Sequence, residues 1–160
     1  MVGGNPVTEE RHKVADIIGI DHIYIAVSDL ARSERFYDKV LLDTLGFRRN
    51  RFELNGDPHI HYFNRHFGYV IRPAQIKDAQ SRGLPGLHHL CFRVETIAEV
   101  EMAARQLRAL GIDASEAQLF VEYAPDYWAT FFTDPDGVRL EITNYRRERR
   151  ERNENWESPG

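Results

Sequence analysis

A chain of 160 residues, 42% apolar and 29% charged, has the length of one domain and the composition of an ordinary globular protein. Its net charge of −4 excludes a general attraction to nucleic acid or to an anionic membrane, and its single cysteine, Cys91, excludes an intrachain disulfide. No apolar run approaches the roughly 20 residues of a spanning helix, and the polar N-terminus lacks the apolar stretch of a signal peptide, so a cytoplasmic location is expected.

Residues 1–18 carry no hydrophobic period and are expected to form a mobile leader. From Ile20 to Val27 apolar and polar character alternates, which predicts a strand with Ile23, Ile25 and Val27 on one face and His22, Tyr24 and Ala26 on the other. Asp29 is a good N-cap for a helix over 30–45, whose buried stripe is Phe36, Tyr37, Val40, Leu41, Thr44 and Leu45, with Gly46 as the stop. Three strands follow: Phe47 to Leu54, His59 to Phe63 after the turn Asn55-Gly56-Asp57-Pro58, and Tyr69 to Pro73. Gln75 to Pro85 has the character of a linker.

The same order then recurs. A strand over Leu87 to Val94 precedes a helix opened by Thr96-Ile-Ala-Glu99, the S/T-x-x-E pattern of a capping box. Strands are expected over Ala114 to Tyr123, Tyr127 to Thr133 and Val138 to Tyr145, the last two joined by the hairpin signal Asp134-Pro-Asp-Gly137. Residues 147–160 alternate arginine and glutamate, the pattern of a solvated helix extension or frayed tail. Strand, helix, strand, strand, strand thus occurs twice. Both copies open on the spacing H-x-x-x-x-V, at His22 and at His89, which marks a duplicated unit rather than a solenoid.

Alternation turns the duplication into a site. With Ile23, Ile25 and Val27 against a helix, His22 faces the other side of its sheet. With Leu90, Phe92 and Val94 likewise packed on a helix, His89, Cys91 and Arg93 point into the concavity, and His88 falls on the wrong face. In the last strand Leu140 and Ile142 belong to the core and leave Glu141 on the concave side. Two imidazoles and a carboxylate suit a borderline divalent ion (Zn, Ni, Mn or Fe(II)), with open positions for substrate or water. His59 and His61 share a strand face near His66, without an obvious acidic partner.

Three segments carry a resemblance: Asp21-His22-Ile-Tyr-Ile-Ala-Val-Ser-Asp29, Gly86-Leu-His-His-Leu-Cys-Phe-Arg-Val94, and Tyr127-Trp-Ala-Thr-Phe-Phe-Thr-Asp-Pro-Asp-Gly-Val-Arg-Leu-Glu141. Over about residues 19 to 146 the chain resembles the vicinal-oxygen-chelate superfamily of glyoxalase I, methylmalonyl-CoA epimerase, fosfomycin-resistance thiol transferases, extradiol dioxygenases and bleomycin-binding proteins. The resemblance implies an α+β fold of two βαβββ modules (19–74 and 86–146) forming an incomplete mixed β-barrel around one divalent metal. It assigns His22, His89 and Glu141 as ligands, and it implies a homodimer. Glyoxalase I and the epimerases have a fourth ligand, Glu or Gln, on the last strand of the first module. Alignment of Gly68 with Gly137 places Arg72 there, and a shifted register places Ile71.

The expected function is a metal-dependent, glyoxalase-like lyase or isomerase reaction on a small oxygen-chelating substrate, with Glu141 or Glu122 as the base. The alternatives are an Fe(II) dioxygenase, a thiol transferase of the fosfomycin-resistance type, and a non-catalytic small-molecule binder. Tyr24, Arg72, Arg93, Tyr123 and Tyr127 are candidate substrate contacts. The two arginines would receive an anionic group or else form structural ion pairs.

Overall fold

The computed structural model describes residues 15–79 and 81–157; the leader's first 14 residues lie outside them. The first module comprises β1 (His22–Val27), α1 (Leu30–Tyr37, continued by a π-helical segment Asp38–Thr44), β2 (Arg48–Leu54), β3 (Asp57–Phe63) and β4 (Gly68–Pro73). The second comprises β5 (Leu90–Val94), α2 (Ile97–Ala109), β6 (Gln118–Leu119), β7 (Trp128–Thr133) and β8 (Arg139–Asn144), and α3 (Arg147–Glu154) follows it. Each module makes its own four-stranded mixed sheet, ordered β1-β4-β3-β2 and β5-β8-β7-β6. The pairs β1–β4 and β5–β8 are parallel, the others antiparallel. The sheets are open, and the histidine-bearing ends β1 and β5 are both edge strands.

Local chemistry accounts for most boundaries. The Asp29 side chain accepts from Arg32 N at the start of α1, and Thr96 and Glu99 close a reciprocal capping box on α2. Asn55 and Gly56 take φ of 53° and 80°, which lets β2 and β3 join in a two-residue turn. Two departures from the sequence expectation stand out. The first helix is not α-helical throughout: Leu45 N donates to Val40 O at 3.1 Å, and the Thr44 hydroxyl to Lys39 O at 2.8 Å. This wider winding puts the adjacent Val40 and Leu41 both inside. The strand expected over Ala114 to Tyr123 shrinks to β6. Ser115 holds the β7 edge through Phe131, and Tyr123 N bonds back to Phe120 O in a turn, so that stretch spends its backbone bonds locally.

One hydrophobic cluster serves both modules. Ile25, Val27, Ile60 and Ile71 of the first sheet meet Tyr37, Val40 and Leu41, while Phe92, Leu140 and Ile142 of the second meet Leu107. Phe67 stacks on Phe92 (6.2 Å between centroids, 15° between planes), and Phe36 lies 6.4 Å from Phe132. Polar groups cross the same boundary: Tyr69 OH donates to Tyr37 OH, which donates to Asp134 Oδ2 (2.9 and 2.8 Å), and Asp136 accepts from Ser28 N at 2.9 Å. The Asp134–Gly137 turn therefore both closes a hairpin and fastens the second module to the first. Helix α3 buries no residue; Arg150 pins it to Glu95 at 2.5 Å.

Candidate metal centre

The helix-free faces of both sheets carry the chemistry. On the second sheet, Cys91 and Glu141 are register partners across β5–β8, which sets His89 diagonally beside the carboxylate. Glu141 is only 3% exposed. Its Oε1 accepts a short hydrogen bond from the Tyr127 hydroxyl, and its Oε2 lies 3.6 Å from His89 Nε2. That separation is too long for a hydrogen bond. It fits two donors each about 2.1 Å from one tetrahedral ion, which stand roughly 3.4 Å apart. The Nδ1 atoms of His88 and His89 are 2.8 Å apart. With His89 as the donor, its Nε2 lone pair is turned to the carboxylate.

Burial and the Glu141 carboxylate push the Cys91 thiol well above its usual range. Burial and donation to Glu141 likewise push the Tyr127 hydroxyl up, which keeps it a donor.

On the first sheet, His22 Nδ1 meets Asp21 Oδ1 at 2.6 Å, an arrangement that orients the imidazole and leaves Nε2 free. His22 borders a 510 Å³ concavity with Tyr24, Phe52, His61, Phe63 and Val70 among its walls. His61 Nε2 occupies the space where Gly68 has no Cβ: one built there would meet it at 2.7 Å. Phe52 stacks on the buried His59 at 4.8 Å, and Tyr24 meets it edge-on.

The expected convergence is thus half present within the chain. His89 and Glu141 come together; His22 stands on the other sheet, and no group of three His, Cys, Asp or Glu forms a metal site among the described residues. The reason is topological, since the modules pack through their core faces and the Asp134 turn, and β1 and β5 lie in separate sheets without pairing edge to edge.

The sheet register also corrects the fourth position. His22 matches His89, so Tyr24 matches Cys91; their strand partners are Val70 and Glu141. Val70, not Arg72 or Ile71, takes the place of Glu141 in the first module. Arg72 lies one step further along that face and is held by Asp57 at 2.5 Å. Arg93 stacks over Tyr145 at 4.1 Å. Tyr24 meets the His22 ring edge-on at 5.4 Å. Tyr123 is exposed and lies edge-on to Tyr127 at 5.3 Å. Sequence reasoning missed Asp21 and His88 as orienting partners, although their adjacency to the histidines was visible. It also missed the grip of Tyr127 on Glu141, which requires β7 and β8 to be placed side by side.

Residues 19–142 match the sequence profile of the Glyoxalase/Bleomycin resistance protein/Dioxygenase superfamily. The chain belongs to that superfamily. Among its relatives is Virulence protein STM3117 of Salmonella typhimurium, 28% identical over 128 residues, which span 79% of this chain and 83% of that one. The superfamily domain from Frankia sp. EAN1pec superposes with a TM-score of 0.67 at 24% identity, covering 82% of this chain and all of the other. The fosfomycin resistance protein FosX of Listeria monocytogenes shares the fold at a TM-score of 0.60 and 17% identity, with 84% and 99% covered. A variant of FosX has been solved with manganese(II) and 1S,2S-dihydroxypropylphosphonic acid. No helix among the described residues is long and apolar enough to cross a membrane.

Proposed function

We propose that this protein is a divalent-metal-dependent enzyme acting on a small substrate through two neighbouring oxygens, with glyoxalase-like lyase or isomerase chemistry. In this reading it works as a homodimer in which β1 of one copy lies beside β5 of another, so that His22 of the first completes the His89–Glu141 pair of the second. The observation that carries it is the 3.6 Å approach of His89 Nε2 to Glu141 Oε2, with the remaining carboxylate oxygen held by Tyr127. Both proposed imidazole ligands also have Nδ1 engaged by a neighbouring side chain, which is how metal-binding histidines are commonly oriented. The open edges of β1 and β5 supply the surfaces such a dimer would pair.

A bound divalent ion would supply Lewis acidity for negative charge developing on a substrate oxygen. The chain's own part is to fix the ligand directions, keep Glu141 dry and shape the wall with Tyr24, Phe52 and Phe63.

A second reading draws on Val70. With an aliphatic side chain where the lyase relatives carry a fourth carboxylate or amide, the centre has three protein ligands and lacks the base a fourth carboxylate would supply. A transferase that adds a thiol to a metal-held electrophile does not need that base.

Metal analysis and subunit mixing test the centre. The wild-type dimer should retain a divalent ion, and His22→Ala and His89→Ala should each lose it. Unfolding and refolding the two variants together should restore the ion to a fraction of the sites, because mixed dimers contain one intact centre. No recovery on mixing, with each variant folded and dimeric, would show that the centre does not span two chains. Turnover of a methylglyoxal–glutathione hemithioacetal favours the first chemistry, and thiol addition to an epoxide favours the second.

A further inference from the structure

The cations that flank the two sheets are not equivalent. Arg72 is neutralised by Asp57, and Arg150 by Glu95. Arg93 and Arg150 both rest against Tyr145, 4.1 and 4.2 Å from its centroid. Arg146, the N-cap of α3, differs from these, and from Arg139 over the Phe131 ring at 4.6 Å, in the ring it rests on. It is half-buried, its Cζ lies 4.4 Å from the centre of the Tyr127 ring, and it has no carboxylate partner among the described residues. That ring is the one whose hydroxyl holds Glu141. The guanidinium therefore stands one aromatic ring away from the candidate metal ligand.

A guanidinium resting over an aromatic face keeps N–H groups available for a forked pair of bonds to an oxyanion. A partly desolvated cation without a counter-charge carries an energetic penalty that an anionic ligand relieves. We propose that Arg146 receives an oxyanion of the substrate. The substrate class is then a small acid that presents two neighbouring oxygens to the metal and a further anionic group to Arg146. This inference rests on the metal-centre reading above and narrows its substrate.

Glycolate and tartronate separate the two parts. Each offers a hydroxyl and a carboxylate as a chelating pair, and tartronate adds one free carboxylate. Calorimetric titration of the manganese(II)-loaded protein should show tartronate binding about tenfold or more tighter than glycolate, the scale of a charged hydrogen-bonded pair. Arg146→Gln should bring that ratio close to one while leaving the glycolate affinity in place. Arg146→Lys should keep part of the ratio, and Arg149→Gln, which removes the same charge from the exposed side of α3, should keep all of it. Metal content measured on the same samples makes the failures distinct. A wild type that retains no ion overturns both readings. A retained ion with a tartronate preference indifferent to Arg146, or with no preference in the wild type, overturns this one alone.

Discussion

At the scale of single residues, the proposed site depends on the side chain that holds Glu141. Tyr127 donates to a carboxylate that is 3% exposed, and without that bond one oxygen of a buried anion loses its donor. If Glu141 is a metal ligand as proposed, Tyr127→Phe should weaken metal retention by about 10–100-fold, the usual effect of removing a partner that orients a ligand. Competition with a chelator measures it; an unchanged metal affinity would mean that Glu141 needs no such support. Gly68 shows a second kind of dependence, since its missing Cβ makes room for the His61 ring. Gly68→Ala should displace that ring from its 3.2 Å contact with Asn50 at a stability cost of less than about 1 kcal/mol, because the clashing atom ends a movable side chain. Ring-proton shifts of His61 in the two proteins check the displacement.

Secondary-structure elements show where local and tertiary causes divide. Helix α2 opens with a complete capping box and should lose about 1 kcal/mol in Thr96→Ala, read by denaturant midpoint. The first helix has a good N-cap too, yet it winds out to π geometry after Tyr37. Its apolar residues predicted a continuous stripe at three-and-four spacing. The stripe reaches the core only through the wider turn, which buries Tyr37, Val40 and Leu41 while leaving Leu45 less enclosed. The strand expected over Ala114 to Tyr123 failed for a related reason. Alternating character is compatible with an edge that pairs for two residues and then folds back on itself at Phe120.

At the scale of the molecule, the two modules are joined by aromatic packing and by the buried chain Tyr69–Tyr37–Asp134. Burial is the leading cause that pushes the hydroxyls of Tyr37, Tyr62 and Tyr69 above the usual tyrosine range. Groups whose folded pKa is raised stabilise the fold in full below the unfolded value of about 10 and cease to do so as pH rises through the folded values. The melting temperature should accordingly fall steeply above about pH 10. In Tyr37→Phe the fall should be shallower, from a lower starting stability. A melting temperature flat from pH 8 to 11.5 would contradict the burial of these hydroxyls. Burial also raises the Asp134 carboxyl, against the donations it accepts from Tyr37, Val138 and Asp136.

The sequence by itself determined the duplicated strand–helix–strand order, the faces of the strands and the superfamily, because alternation, caps and turn residues act over a few neighbours. It placed His89 and Glu141 on one face correctly, since strand parity alone decides that. Tertiary structure decided the rest. Only the β1–β4 register shows that Val70 stands opposite Tyr24 as Glu141 stands opposite Cys91, and only the packing of the modules through their core faces and the Asp134 turn separates His22 from its expected partners. Parity carries no information about how far a strand is shifted against its neighbour or which sheet edges meet. Those follow from the fit of whole surfaces, where a one-residue slip would turn Val70 into the core and bring Tyr69 or Ile71 to the concave face.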